Sequence, residues 1–251
     1  MSPLAVEVEQ VSKRFRVDGH IVHALDGVSL HAAEGEFVSL VGPSGCGKST
    51  LLNLICGLME PDSGTIRLQG DTLPRLGRVG LMPQQDLLMP WRRVMDNLLL
   101  GPEIQRRDRQ EAEQEAQALL PLFGLEGFAQ SYPSQLSGGM RQRAALLRTM
   151  LAHPTVLALD EPFGALDALT RRGMRDWLLQ VWERFGQTVL FVTHDVDEAI
   201  YLSDRVLVIS SRPGTVALEV NVPLPRPRIQ TQLDTLEAAH IRHRLLTALG
   251  L

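Results

Sequence analysis

Residues 37–58 read FVSLVGPSGCGKSTLLNLICGL. FVSLV is a short apolar run with strand character, Gly42, Gly45 and Gly47 then break the chain into a tight turn, and LLNLICGL resumes with apolar residues at helical spacing. From Gly42 to Ser49 the spacing is G-x-x-x-x-G-K-S, placed between a strand and a helix as that motif requires. The residue types follow from the chemistry of anions. Glycines let successive backbone N–H groups point inward at phosphate oxygens, and the positive end of the following helix reinforces them. Lys48 is long enough to reach the β and γ phosphates, Ser49 offers a hydroxyl for Mg²⁺, and Thr50 adds a phosphate contact. The candidate phosphate site is therefore the run Gly42, Pro43, Ser44, Gly45, Cys46, Gly47, Lys48, Ser49 and Thr50. Cys46 occupies a free position of the turn, a spacer on one reading and, beside a helix N-terminus, a reactive thiol on the other.

Outward from this turn, the chain alternates strands and helices. Upstream, β-like stretches at Val6–Val11, Val28–Leu30 and Glu36–Val41, separated by glycines, predict a small sheet layer. Downstream, DSGTIRLQG (62–70) reads as a hairpin-like unit and is followed by VGLMPQQ (79–85). From about 86 to 152 the pattern turns helical, with charge pairs at i, i+4 in RRDRQEAEQEAQALL (106–120). Strand character returns in TVLALDEP (155–162), TVLFVTHD (188–195) and RVLVIS (205–210), three apolar runs flanked by helical sequence, which implies a parallel sheet. PLPRPR (223–228) breaks the chain before a final amphipathic helix carrying Leu233, Leu236, Ile241, Leu245 and Leu249.

Two of these runs carry acid–base chemistry. Asp160 and Glu161 close a buried apolar strand, where an unpaired charge is costly. In a P-loop fold that strand end lies beside the phosphates, so Asp160 is expected to hold Mg²⁺ and Glu161 to orient or deprotonate the attacking water. An acidic helix N-cap is the competing explanation for the same pair. His194 ends the next strand at the same edge of the sheet, within reach of a γ-phosphate, although a strand-end histidine is also an ordinary satisfied polar group.

Composition narrows the class further. With 44% hydrophobic and 22% charged residues in 251, the chain is neither disordered nor fibrous. No apolar run approaches the ~20 residues of a membrane span, and the acidic, interrupted N-terminus does not fit a secretory signal. Cys46 and Cys56 cannot make a disulfide framework or a four-ligand zinc site, which fits a reducing compartment. A net charge of −4 gives no global attraction to nucleic acid. Lysine occurs only at Lys13 and Lys48.

LSGGMRQRAALLRTMLAHP (136–154) reads as a cap, Ser137, two glycines and a long helix: a second anion-ready helix N-terminus, without a lysine of its own. In order, the chain presents the glycine loop at Gly42, a glutamine turn at Gln84, LSGG at Leu136, ALDEP at Asp160, ALD ending in Asp167, and His194. In this order and these motifs, from about Val6 to Ser210, the sequence resembles the ATP-binding subunit of ABC transporters. The resemblance implies an α/β P-loop ATPase fold with a mainly parallel sheet core, an N-terminal antiparallel β layer and an inserted helical subdomain, spanning 6–235 with a C-terminal helical tail at 236–251. It implies ATP and Mg²⁺ as ligands. Two copies would pack head to tail, each ATP lying between one glycine loop and the Leu136, Ser137, Gly138, Gly139 and Met140 segment of the other copy. Phe15 would stack on adenine, Gln84 would sense metal and water, Asp167 would cross the dimer interface and His194 would meet the γ-phosphate. Catalysis would thus fall to Glu161, His194 and Gln84, and metal binding to Ser49, Gln84 and Asp160. An aromatic between strands is also an ordinary core residue, which is the other reading of Phe15. Gln85 fits the sensing role on local chemistry, and only the spacing to Pro90 and Trp91 favours Gln84. Met140 replaces the family's usual glutamine and leaves the glycine N–H groups intact.

A separate cassette with no membrane span looks like an importer subunit whose permease is another polypeptide. LLMPWRRVMDNLLLG (87–101), HDVDEAIYLSDRVLVIS (194–210) and RPG (212–214) are similar to importer ATPases for nitrate, alkanesulfonates and taurine. The expected partners are a second copy, integral membrane permease subunits and, indirectly, an extracytoplasmic solute-binding protein, with the chain peripheral on the cytoplasmic face of the inner membrane. Pro90, Trp91 and Arg92 are the candidate permease-facing surface, with a half-buried core aromatic as the alternative for Trp91. The stretch after Gly214 is too short for the added β-domain of maltose-type importer ATPases. The competing function is a soluble ABC-type ATPase acting on nucleic acid or ribosomes, against which stand the single compact cassette and the lack of a basic stripe.

Overall fold

A computed structural model describes residues 3–72 and 74–251. β1 (Leu4–Val17) and β2 (His20–Ala33) form a long antiparallel hairpin. Its turn, Asp18 and Gly19, takes positive φ at both positions, the twist that a two-residue hairpin turn needs. These strands run well past the short stretches that the sequence suggests. β3 (Phe37–Val41) follows, then α1 (Lys48–Ile55). The 62–70 segment is not a hairpin: β4 (Ser63–Leu68) is one strand, paired antiparallel with β1 on the side away from β2. It turns back only through a single bridge between Leu68 and Asp71. The order β2-β1-β4 is the expected antiparallel layer.

β5 (Val79–Met82) belongs to the second sheet. After it come α2 (Val94–Leu98), α3 (Leu100–Ile104), α4 (Arg109–Leu119) and α5 (Gly138–Met150), and then β6 (Val156–Asp160). Because β5 and β6 are parallel neighbours, the whole helical insertion is one enlarged crossover between two adjacent strands. α6 (Ala168–Phe185), β7 (Thr188–Thr193), α7 (Val196–Leu202), β8 (Arg205–Ile209), β9 (Val216–Asn221) and α8 (Leu236–Leu249) complete the chain. The sheet order is β5-β6-β7-β3-β8-β9, parallel except for β9 at one edge.

Every residue of β3 and β8 is buried because both faces of this sheet are covered, and strand alternation divides their side chains between two cores. Phe37, Val41, Leu159, Phe191 and Val208 face the helical side. Val38, Leu40, Ala158, Val192 and Leu207 face α1 and the antiparallel layer. Phe191 sits 5.8 Å from Phe37 and 5.9 Å from Phe163, ring centroid to centroid, so the turn after Glu161 is anchored in the helical-side core. The insertion shares that core: Phe123 meets Trp177 of α6 edge-on at 5.3 Å. α8 also docks on the body, burying Ala238, Ile241 and Leu245, while Arg242 pairs with Asp197 at 2.6 Å. Leu236, read from sequence as part of its apolar face, is exposed at the first turn.

Candidate functional site

The register of the parallel sheet assembles the site. Val41 is level with Thr193 of β7 and Val208 of β8, Asp160 is level with Val192, and Met82 with Leu159. All five parallel strands therefore end at one edge, and each continues directly into residues of interest: Gln84 after β5, Gly42 after β3, Glu161 after β6, His194 after β7 and Arg212 after β8. This is the carboxyl edge at which open α/β sheets bind ligands.

A cleft of about 520 Å³ opens there, lined on one wall by Phe15, Val17, Val22 and Ala24 and on the other by Ser44–Thr50 residues, Gln84, Glu161 and Arg212. The glycines of the turn are required by geometry. Gly47 has φ 108°, and a Cβ there would stand 2.7 Å from a Leu25 methyl and 2.9 Å from the Ala24 carbonyl oxygen. A Cβ on Gly42 would stand 2.6 Å from the Ile209 carbonyl oxygen. Lys48, buried at the N-terminus of α1, donates from Nζ to the carbonyls of Gly42 at 2.7 Å and Pro43 at 3.0 Å, and lies 3.8 Å from the Cys46 sulfur. Cys46 is 1% exposed and Cys56 3%. Burial, together with the charge of Asp160, pushes the Cys56 thiol up to about 12, so it is inert.

Asp160 carries the clearest electrostatic signature. Burial raises its carboxyl above the ordinary range and the neighbouring Glu161 adds to the shift, while hydrogen bonding from Ser49 and the charge of Lys48 oppose it. A buried carboxylate beside a hydroxyl at the base of a phosphate loop fits a small hard cation, which takes few protein ligands and completes its shell with phosphate and water oxygens. Among the described residues there is no cluster of three or more His, Cys, Asp or Glu, so nothing here resembles a self-sufficient protein metal cage. Glu161 adopts φ 46°, a strained conformation for a non-glycine residue, held by its N–H bond to the Val192 carbonyl at 2.9 Å. Its Oε2 lies 3.3 Å from His194 Nδ1. Gly164 packs beside this carboxylate and Gln84: a Cβ there would meet Gln84 Nε2 at 3.5 Å and Glu161 Oε2 at 3.7 Å.

Lys48, Ser49, Gln84 and Glu161 thus share one cleft, with Asp160 beneath Ser49 and His194 on Glu161. Phe15 lines the cleft beside its cross-strand partner Val22 and belongs to neither core. Gln84 lines it and Gln85 does not. The Leu136–Met140 segment lies elsewhere. Leu136 is buried, Ser137 accepts a hydrogen bond from the Met140 N–H at 3.3 Å and so caps α5, and Gly138 opens on a second concavity of about 570 Å³ lined by Gln84, Gln85, Asp86, Arg141 and Leu166, so that Gln84 borders both. Asp167 is exposed and caps α6, accepting from the Thr170 N–H at 2.9 Å and hydroxyl at 2.6 Å, which lowers its carboxyl pKa. Trp91 is 74% exposed, so it is not a core aromatic, and Arg92 pairs with Glu103 at 3.0 Å. Sequence reasoning missed Arg212. The RPG turn was visible, but nothing local reveals that a turn 167 residues from Gly45 closes on the phosphate loop.

Residues 25–164 match the ABC transporter family profile. An uncharacterized ABC transporter ATP-binding protein of Methanocaldococcus jannaschii is 45% identical over 92% of this chain and 87% of its own. A nitrate import ATP-binding protein of Synechocystis is 43% identical over 88% and 83%. An aliphatic sulfonates import ATP-binding protein of Cupriavidus pinatubonensis is 46% identical over 97% and 77%. Among solved structures, a dimeric bacterial ABC transporter cassette superposes with TM-score 0.76 at 32% identity, over 88% of this chain and all of the other. A post-hydrolysis form bound to ADP and phosphate superposes with TM-score 0.75 at 33% identity over the same shares.

Proposed function

The chain belongs to the ABC transporter family of ATP-binding cassettes, and on that footing we propose that its ATP turnover energises import of a small anionic solute through a separate membrane permease. It is an ATP-hydrolysing subunit of an importer-type transporter, working as a pair of cassettes with a membrane partner. No helix among the described residues is long and apolar enough to cross a membrane; the proposed permease is a separate polypeptide, with this chain peripheral on the cytoplasmic membrane face. The names of the nitrate and sulfonate importer relatives support a solute of that class, delivered by an extracytoplasmic binding protein.

The observation that carries the reading is the convergence of Lys48, Ser49, Gln84 and Glu161 on one cleft at the sheet's carboxyl edge. In the proposed mechanism the loop N–H groups and Lys48 exchange their internal partners for the β and γ phosphates, and Phe15 stacks on adenine. Ser49, Gln84 and Asp160 would hold Mg²⁺, which would supply charge neutralisation for the phosphates. Glu161 accepts the proton of the attacking water as general base, Gln84 orients that water, and His194 hydrogen-bonds the γ-phosphate while its contact keeps the Glu161 carboxylate in place. The 136–140 segment, which does not line its own cleft, completes the site of the second copy.

ATPase activity of the chain alone and reconstituted with the membrane proteins that co-purify from its own cell tests this reading. Stimulation by the membrane partner is the expected result. Activity indifferent to it but altered by nucleic acid or ribosomes would overturn the import assignment.

A further inference from the structure

The turn between β8 and β9 is built against the phosphate loop. Ser210 ties it internally, bonding Thr215 through both the N–H at 3.0 Å and the hydroxyl at 2.9 Å. Gly214 exchanges backbone bonds with the β2 strand, its N–H donating to the Ala24 carbonyl at 2.9 Å and its carbonyl accepting from the Asp26 N–H at 3.0 Å. Its backbone passes so close to the loop that a Cβ would stand 2.2 Å from the Cys46 carbonyl oxygen. From this fixed turn Arg212 reaches over the loop, donating to the Gly45 carbonyl from Nε at 3.1 Å and Nη2 at 2.8 Å.

Two features separate this arginine from a surface brace. It lines the nucleotide cleft, together with Phe15, Val22, Lys48 and Ser49. Its polar partner among the described residues is that one neutral carbonyl, with no carboxylate in salt-bridge range; the side chain is exposed and its Nη1 edge makes no hydrogen bond within the chain. Lys48 likewise donates to neutral carbonyls, those of Gly42 and Pro43, but it is buried and within electrostatic reach of Asp160. A guanidinium in this position matches phosphate oxygens in geometry as well as charge.

Resting on the ATP reading of the Gly42–Thr50 loop, we propose that Arg212 is a second phosphate-binding cation of the nucleotide site, carried by the β8–β9 turn and acting beside Lys48. It fixes the Gly45–Cys46 peptide and presents its free edge to the phosphate oxygens of the bound nucleotide.

The test is calorimetric titration of the full chain with MgATP at several salt concentrations, for wild type, R212K, R212Q and K48A, with thermal unfolding of each apoprotein. Arg212→Lys keeps the charge, whereas Arg212→Gln keeps a donor for the Gly45 carbonyl and removes the charge. The expected result is R212K within about threefold of wild type and R212Q weakened about tenfold, with a shallower salt dependence and an unchanged unfolding midpoint. Equal binding by R212Q and wild type would overturn the proposal. So would equal weakening in R212K and R212Q with the wild-type salt slope, which marks a purely structural brace. If wild type itself fails to bind MgATP, the ATP reading falls; if wild type binds, K48A does not and R212Q is unaffected, only the role of Arg212 falls.

Discussion

Asp160 shows how one carboxylate is held ready at a cost to the empty protein. Its pKa is raised above the ordinary value of 3.8, mainly by burial, so the charged form is disfavoured in the folded state. A carboxyl raised on folding favours the fold while protonated, and that advantage is lost as pH rises through the raised value. Asp160→Asn should therefore raise the unfolding midpoint of the ligand-free chain at pH 7, with the gain shrinking as pH falls toward the carboxylate range. The same variant should lose magnesium-dependent hydrolysis. Scanning fluorimetry across pH checks the first part, and a destabilised Asn variant at pH 7 would refute it. Glu161 has a different role one residue on. Glu161→Gln should retain ATP while turnover falls roughly 10²- to 10⁴-fold, read by phosphate release; ordinary turnover there would rule out the general-base assignment. Lys48→Ala should lose affinity for ATP itself in equilibrium titration, since the cation facing the β and γ phosphates is gone.

At the scale of elements, the site is a product of strand ends held in register by two dry cores. The phosphate loop is shaped as much by the β8–β9 turn and β2 as by its own glycines, because Gly47 and Gly214 both pack on Leu25 and its neighbours. Gly214→Ala should displace the loop or the turn, costing roughly 1–3 kcal/mol of stability and weakening ATP. Urea unfolding midpoints together with ATP titration check this, and an alanine variant with normal midpoint and affinity would show the close approach to be relaxed at no cost. Ser137 is similarly local in its stability effect. As the cap of α5, its replacement by alanine should cost about 1 kcal/mol.

At the scale of the molecule, the Ser137–Gly139 helix end does not line the nucleotide cleft of its own chain. The proposed mechanism brings it to the cleft of a second copy, and a superposed cassette of this fold is dimeric. Glu161→Gln with ATP should therefore trap a dimer visible by light scattering, and adding Ser137→Arg should abolish it by placing a bulky cation where the partner's nucleotide lies. A monomer in both cases would contradict the paired-site mechanism.

Motif chemistry was legible from order along the chain: G-x-x-x-x-G-K-S, ALDEP and THD are each complete within a few residues, because a strand, its turn and its cap are local structures. The unbroken apolar runs in TVLALDEP, TVLFVTHD and RVLVIS likewise announced a covered parallel sheet. What local sequence could not carry was which strands neighbour which. Ser63–Leu68 and Val79–Met82 look alike in sequence yet join different sheets, since pairing is decided by partners far along the chain. The choice of Gln84 over Gln85 at the cleft, the exposure of Trp91 and the docking of α8 on its own body depended on the same long-range packing. So did Arg212. Its side chain gains meaning only when the β8 strand end is set level with β3, and that register is fixed by burial across the whole sheet rather than by any residue near Arg212 itself.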